Sequence, residues 1–210
     1  MILIGRDLSP FVRVSATVLN LCGIEYERQL AATDEDADFI RSHNPLGRVP
    51  ALLLNDAETI IDSVAIVDHA LMSTLDDDHN HSLLATNGAE RRQTQYIVAI
   101  ARGTMEKAVA SAYEIRMRPK EYVYTPYRER LLAQVSAGLG ELEAQLTANW
   151  FGGDSINLAD AHAVVAYDFV TIVAAELTVE RALPKLSALS ARANATPEFA
   201  TTRWQADAAS

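Results

Sequence analysis

Asn44-Pro45-Leu46-Gly47-Arg48-Val49-Pro50-Ala51-Leu52-Leu53-Leu54 decides how this chain is built. Two prolines and a glycine lead into an apolar run, so a rigid, kinked loop feeds a buried strand. Pro50 lacks an N–H and stands where the strand begins, a place proline tolerates only at a strand's first residue or at an edge. Two readings fit. One is a trans X-Pro bond closing a surface loop. The other is a cis bond that turns the chain sharply. In the second, the N–H and C=O of Val49 face outward and can pair with an extended ligand as an added strand would.

Working outward, the first half alternates short strands with helices. Met1–Gly5 is an apolar run of strand length, and Ser9-Pro10 supplies an N-cap with proline at the first helical position. Phe11, Val14, Val18 and Leu21 recur at helical spacing until Gly23. Residues 24–30 read as a second strand, and Thr33-Asp34-Glu35-Asp36 opens a short acidic helix. Residues 51–54 form a third strand, Asn55-Asp56 turns, and residues 59–61 return antiparallel. Asp62 then caps a helix running to about Thr74. A parallel βαβ followed by an antiparallel hairpin and a helix makes one mixed sheet with helices on both faces.

After residue 90 no strand pattern remains. Helices are expected over 90–117, 126–148, 157–173, 176–182 and 185–193, with breaks at Pro119, Pro126, Gly152-Gly153, Pro184 and Pro197. Asn157-Leu158-Ala159-Asp160 has the form of a capping box, with aspartate where glutamate or glutamine is usual. It precedes a helix apolar nearly all round, as a central helix of a bundle must be. The expected division is therefore residues 1–78, a linker at 79–89, and an all-helical domain at 90–210.

Charge separates the same halves. The net charge is −10, and residues 1–78 hold 5 Arg/Lys against 14 Asp/Glu while residues 79–210 hold 13 against 14. Such an acidic chain lacks the electrostatic footprint for nucleic acid or an anionic membrane. No uncharged apolar stretch reaches the roughly 18–20 residues a membrane span needs. The opening Met-Ile-Leu-Ile-Gly-Arg-Asp is too short and too early charged for a signal peptide, so a cytoplasmic location is expected. One cysteine, Cys22, excludes an internal disulfide framework.

Taken together, these stretches resemble the glutathione S-transferase family. Ser9-Pro10-Phe11-Val12-Arg13 is similar to the first-helix start of its serine-type bacterial members, and residues 44–52 to its cis-proline loop. Ile61-Asp62-Ser63-Val64-Ala65-Ile66 resembles its glutamate-serine motif, with aspartate in place of glutamate. Leu83-Leu84 before Glu90-Arg91 resembles the start of its helical domain, and residues 157–160 its buried capping box. The resemblance implies an N-terminal thioredoxin-like βαβ–ββα domain followed by a C-terminal helical bundle domain. It further implies glutathione as co-substrate, a small hydrophobic electrophile as second substrate, and a homodimer.

The chemistry follows position by position. A thiol must ionise to become a nucleophile. From the residues alone Ser9 is a helix cap; the resemblance implies that its hydroxyl also donates to the glutathione sulfur, where the helix dipole favours negative charge. Asp62-Ser63 reads either as an ordinary cap pair or as a site for an α-amino-acid head group. In the second reading helix N–H groups and the Ser63 hydroxyl take the carboxylate, and Asp62 takes the amine. The backbone of Val49, beside Pro50, would pair with the cysteinyl part. Arg48 is either a solvated loop arginine or, with His43, a partner for the glycine carboxylate. Arg13, one turn into the first helix, adds a cation where an anionic tripeptide meets an acidic domain. Phe11, Tyr113 and Met117 are the expected wall for the electrophile, with bundle packing as the alternative for the last two.

Other signals lead nowhere. Cys22 lies thirteen residues past Ser9 on the apolar pattern and reads as a core thiol, so mixed-disulfide chemistry through the protein is not expected. Asp76-Asp77-Asp78-His79-Asn80-His81 reads as a solvated charge run, and no metal site is expected. Gly138-Leu139-Gly140 follows no strand and is no nucleotide loop. Residues 113–130 mix tyrosines with five Arg/Lys and three Glu, too slight an excess for nucleic acid. Isomerase, dehalogenase and peroxidase chemistry, or a noncatalytic binding module on the same fold, remain open.

Overall fold

A computed structural model describes residues 1–55, 58–74, 83–180 and 182–205. They divide into two compact units, Met1–Ser82 with Asn194–Ser210, and Leu83–Ala193. In the first unit the order is β1 (Ile2–Ile4), α1 (Pro10–Leu21), β2 (Glu27–Gln29), α2 (Ala37–His43), β3 (Ala51–Asn55), β4 (Glu58–Ile60) and α3 (Ser63–Met72). The sheet runs β2-β1-β3-β4, with β1 and β2 parallel and the other neighbours antiparallel. Ile4 and Ala51 pack with Ile40 of α2, while α1 and α3 pack on each other and on β1 and β3. Every residue of α1 from Val12 to Leu19 is buried, so this helix is the unit's centre. The second strand is shorter than its apolar pattern suggests, because β1 offers three pairing residues, Ile2 to Ile4.

The second unit contains α4 (Gly88–Arg116), α5 (Thr125–Gln145), α6 (Leu158–Val173), α7 (Ala175–Glu180) and α8 (Pro184–Ala193), with a 3₁₀ turn at Lys120–Tyr122. The central helix is α6, buried from Leu158 to Ala166. The glycine at 138 is a crossing point: a Cβ there would lie 2.0 Å from Thr104 Oγ1 of α4. At the start of α8, the Glu143 carboxylate of α5 accepts the N–H groups of Lys185 and Leu186, both at 2.9 Å. A carboxylate there satisfies orphan donors and complements the helix dipole.

Residues 194–205 depart from the expected division. They belong to the first unit, where α9 (Pro197–Ala200) packs on α1. Phe199 is fully buried, the Thr17 and Thr202 hydroxyls meet at 2.9 Å, and the Asn20 side chain donates to the Glu198 carbonyl at 3.0 Å. A helix of four residues has no periodicity to announce it. The acidic run 76–81 and the first part of the expected linker lie outside the described residues. Among the described residues no helix is long and apolar enough to cross a membrane, and no three His, Cys, Asp or Glu side chains form a metal-binding group.

Candidate functional site

Register brings three of the predicted segments to one end of the sheet. Ile4 pairs with Ala51, and Leu52 with Ile60. The antiparallel pairs therefore release the residues after β1, those before β3 and those after β4 at the same end. Ser9, Val49 and Asp62-Ser63 stand on these three exits. Gly5 draws the first two together. With φ at +144°, it leaves no space for a side chain: a Cβ would sit 2.4 Å from Val12 Cγ2 and 3.0 Å from Val49 Cβ.

Ser9 is half-buried at the head of α1, and its Oγ accepts from the Val12 N–H at 3.4 Å. That contact is long for a hydrogen bond. It occupies one acceptor position and leaves the hydroxyl proton to donate elsewhere. Both readings of Ser9 are thus geometrically compatible.

The loop before β3 is organised by Asn44, a buried residue the sequence reading passed over. Its side-chain amide donates to the Arg48 carbonyl at 2.8 Å, its Oδ1 accepts from the Leu46 N–H at 3.0 Å, and its carbonyl accepts from Gly47 at 2.8 Å. Gly47 has φ at +62°, which glycine adopts freely. An Asn beside Pro is a turn signal, and it was the clue available for this role. The Val49–Pro50 bond is cis, as is Ile61–Asp62, for which the sequence holds no signal. Pro50 is buried, Val49 is half-buried, and among the described residues the Val49 N–H and C=O have no hydrogen-bond partner.

At the head of α3, Asp62 is exposed and its Oδ1 accepts from the Val64 N–H at 2.9 Å. The Ile66 N–H already bonds the Asp62 carbonyl at 3.0 Å, so the N–H groups of Ser63 and Ala65 are the first-turn donors still open. Ser63 is buried at 7% exposure, and its hydroxyl has no partner among the described residues. Open donors of this kind can take an anion, beside a carboxylate that can take a cation.

Residues 8–70 match the glutathione S-transferase N-terminal domain, and residues 104–197 the glutathione S-transferase C-terminal domain. The chain belongs to the glutathione S-transferase family. The uncharacterized GST-like protein YibF of Escherichia coli (strain K12) is 27% identical over 159 residues, 76% of each chain. A glutathione S-transferase of Methylobacterium radiotolerans, solved with glutathione sulfonate, superposes with a TM-score of 0.88 at 23% identity, covering 100% of this chain and 97% of that one. One from Methylobacillus flagellatus, solved with glutathione bound, gives 0.85 at 24% identity over 96% and 98%. At these identities the structural likeness is one of fold: a thioredoxin-like N-terminal domain and a helical C-terminal one, as the resemblance implied.

Within this glutathione S-transferase family member the remaining expected residues are placed unevenly. Arg48 is exposed, and among the described residues its guanidinium has no partner. His43 Nδ1 donates to the Phe39 carbonyl at 3.0 Å, its ring leans on Phe39 with centroids 4.7 Å apart, and Nε2 stays open. Arg13 differs from its expected role. It is 5% exposed and donates to Asn194 Oδ1 at 2.8 Å, so it ties the C-terminal segment to α1. Phe11 is half-buried in the first turn of α1, whereas Tyr113 and Met117 are exposed at the end of α4 in the second unit. Burial pushes the Cys22 thiol up, partly offset by a hydrogen bond with Thr74, so it stays protonated and unreactive.

Proposed function

We propose that this chain is a serine-type glutathione transferase that ionises the glutathione thiol and directs the thiolate at a small hydrophobic electrophile. The single observation that supports it is the convergence of Ser9, Val49 and Asp62-Ser63 at one sheet end. Their free groups match a γ-glutamyl-cysteinyl peptide in order. The open Ser63 and Ala65 N–H groups and the Ser63 hydroxyl take the γ-glutamyl carboxylate, and Asp62 takes its ammonium group. The Val49 N–H and C=O pair with the cysteinyl backbone as one strand pairs with another. Arg48 and His43 Nε2 serve the glycine carboxylate.

Ser9 then stands at the sulfur. Its hydroxyl, already oriented by the Val12 N–H, donates to the thiolate at the positive end of α1. The thiol proton leaves to water, and the sulfur lone pair forms the new bond to carbon. The displaced electron pair leaves with halide from an aryl halide, stays on the oxygen of an opened epoxide, or moves to the carbonyl oxygen of an enone. The protein needs no thiol of its own for this, and buried Cys22 supplies none. The same reading carries a cytoplasmic homodimer.

Calorimetry with glutathione tests it directly. Saturable binding at micromolar to millimolar glutathione, together with turnover of at least one aryl halide, epoxide or enone, is expected. Binding with no turnover over that panel would reassign the chain as a glutathione-binding module.

A further inference from the structure

Asp7 brings a negative charge to the place where the proposed chemistry creates another. It lies two residues before Ser9, in the turn from β1 into α1. The Ser9 N–H closes that turn by donating to the Arg6 carbonyl at 3.1 Å, and the Gly5 N–H ties it to β2 by donating to the Gln29 carbonyl at 3.0 Å. A carboxylate this near the head of α1 works against a thiolate there, because each of two like charges disfavours the ionised form of the other.

Arg28 of β2 answers that charge. Its guanidinium donates to Asp7 Oδ1 at 2.5 Å, with the arginine side chain 25% exposed and the aspartate 44%. Among the described residues Asp7 is the only side chain that Arg28 bonds, and Arg28 Nε is closed to water without a partner. Tyr26, two residues earlier on the chain, registers the balance: burial pushes its hydroxyl up, Arg28 pulls it down, and Asp7 pushes it up again. An ion pair this exposed adds little to stability. Its consequence is for charge and position rather than for the fold.

We infer that Arg28 is a positioning residue for the thiolate: by holding Asp7 against β2 it fixes the turn that carries Ser9, and by pairing with that carboxylate it removes a charge that opposes ionised sulfur. The inference rests on the transferase reading above and adds to it a residue that acts through Asp7.

The test follows the thiolate of bound glutathione by its ultraviolet difference absorbance against pH. It compares wild type with Arg28→Gln, Asp7→Asn, Arg28→Lys and the double variant Arg28→Gln/Asp7→Asn. Wild type is expected to ionise the thiol below its ordinary value of about 8.5. Arg28→Gln leaves Asp7 uncancelled, and the midpoint moves up by about half a pH unit, the effect of one charge about a Debye length away. Asp7→Asn leaves the guanidinium uncancelled, and the midpoint moves down by a similar amount. The double variant returns close to wild type, and Arg28→Lys, which keeps the charge, stays there. The other charged groups of the segments at this sheet end, Arg6, Arg13, His43, Arg48 and Asp62, are common to every variant.

A purely structural brace gives a different pattern, because both single variants break the same bond. Their midpoints then move the same way, and the double variant restores nothing. That pattern overturns the inference, and so does a midpoint that moves in neither variant. Each single variant has its own predicted sign, so one carries the test if the other unfolds. Wild type that binds no glutathione, or that leaves the bound thiol at its ordinary value, overturns the transferase reading and this inference with it.

Discussion

The helices α3 and α6 both begin at an aspartate-bearing cap, and the two caps have opposite fates. Asp62 is exposed, accepts one N–H, and sits beside a serine hydroxyl with no partner among the described residues. Asp160 is fully buried and accepts the N–H groups of Phe151 at 2.8 Å and Asn157 at 2.9 Å, while the Asn157 side chain caps the helix in return. Every donor around Asp160 is spoken for; around Asp62 several are open. One arrangement closes a helix end, and the other leaves donors at a helix end open. Burial pushes the Asp160 carboxyl up to about 6 even though backbone donors pull it down.

That contrast can be broken experimentally, most forcefully at the closed end. Asp160→Ala strands two N–H groups, each worth about 1–3 kcal/mol when buried and unpaired, so a loss of about 2–6 kcal/mol in denaturant unfolding is expected. Glutathione affinity of the folded variant should not change. Ser9→Ala should lower turnover by about 10–100-fold, the loss of one donor to a developing anion, with its melting temperature near that of wild type. Wild-type turnover in that variant removes Ser9 from the chemistry. Asp62→Ala should weaken glutathione binding by about 5–10-fold, the size of one net hydrogen bond of about 1 kcal/mol at an exposed carboxylate. If it instead unfolds the protein as Asp160→Ala does, the distinction between open and closed caps fails.

The smallest effect is in pH dependence, where two groups on α6 oppose each other. Asp160, raised to about 6, contributes stability that is fully present below its ordinary value of 3.8 and is lost as pH rises through about 6. His162 is buried, its Nδ1 donates to the Leu158 carbonyl at 2.9 Å, and burial lowers it to about 4. Its contribution is present above 6.5 and is lost as pH falls through about 4. The two trends offset each other between about pH 4 and 6. Thermal melts of Asp160→Asn should therefore fall more steeply on acidification than those of wild type. Parallel curves would show that Asp160 does not titrate there.

What was legible in the sequence was local. Ser9-Pro10, the Val-Pro loop and Asp62-Ser63 announce themselves because capping and turn residues act within three or four positions of their own. The helices of the second unit were legible to within a few residues for the same reason, with spacing and prolines as guides. What escaped depends on distance. Arg13 reads as a free cation until Asn194 is brought to it, and Glu143 reads as a surface acid until the start of α8 arrives 42 residues later. Asn44 was legible in principle. Its three bonds are all local, and only the stronger signals of its proline and glycine neighbours drew attention away from it.

The return of residues 194–205 to α1 bears on how the protein is made. A thioredoxin-like unit at the head of a chain is usually complete once its own residues have left the ribosome, since domains tend to fold in order of synthesis. Here the side chains of Thr17, Asn20 and Arg13 of the central helix bond Thr202, Glu198 and Asn194, 178 to 185 residues later. The first unit therefore has to wait, with one flank of α1 open, while the whole helical unit is translated. A deletion of residues 194–205, which the charge step and the periodicity would both pass as a harmless trim of the second domain, would instead leave the first one unfinished.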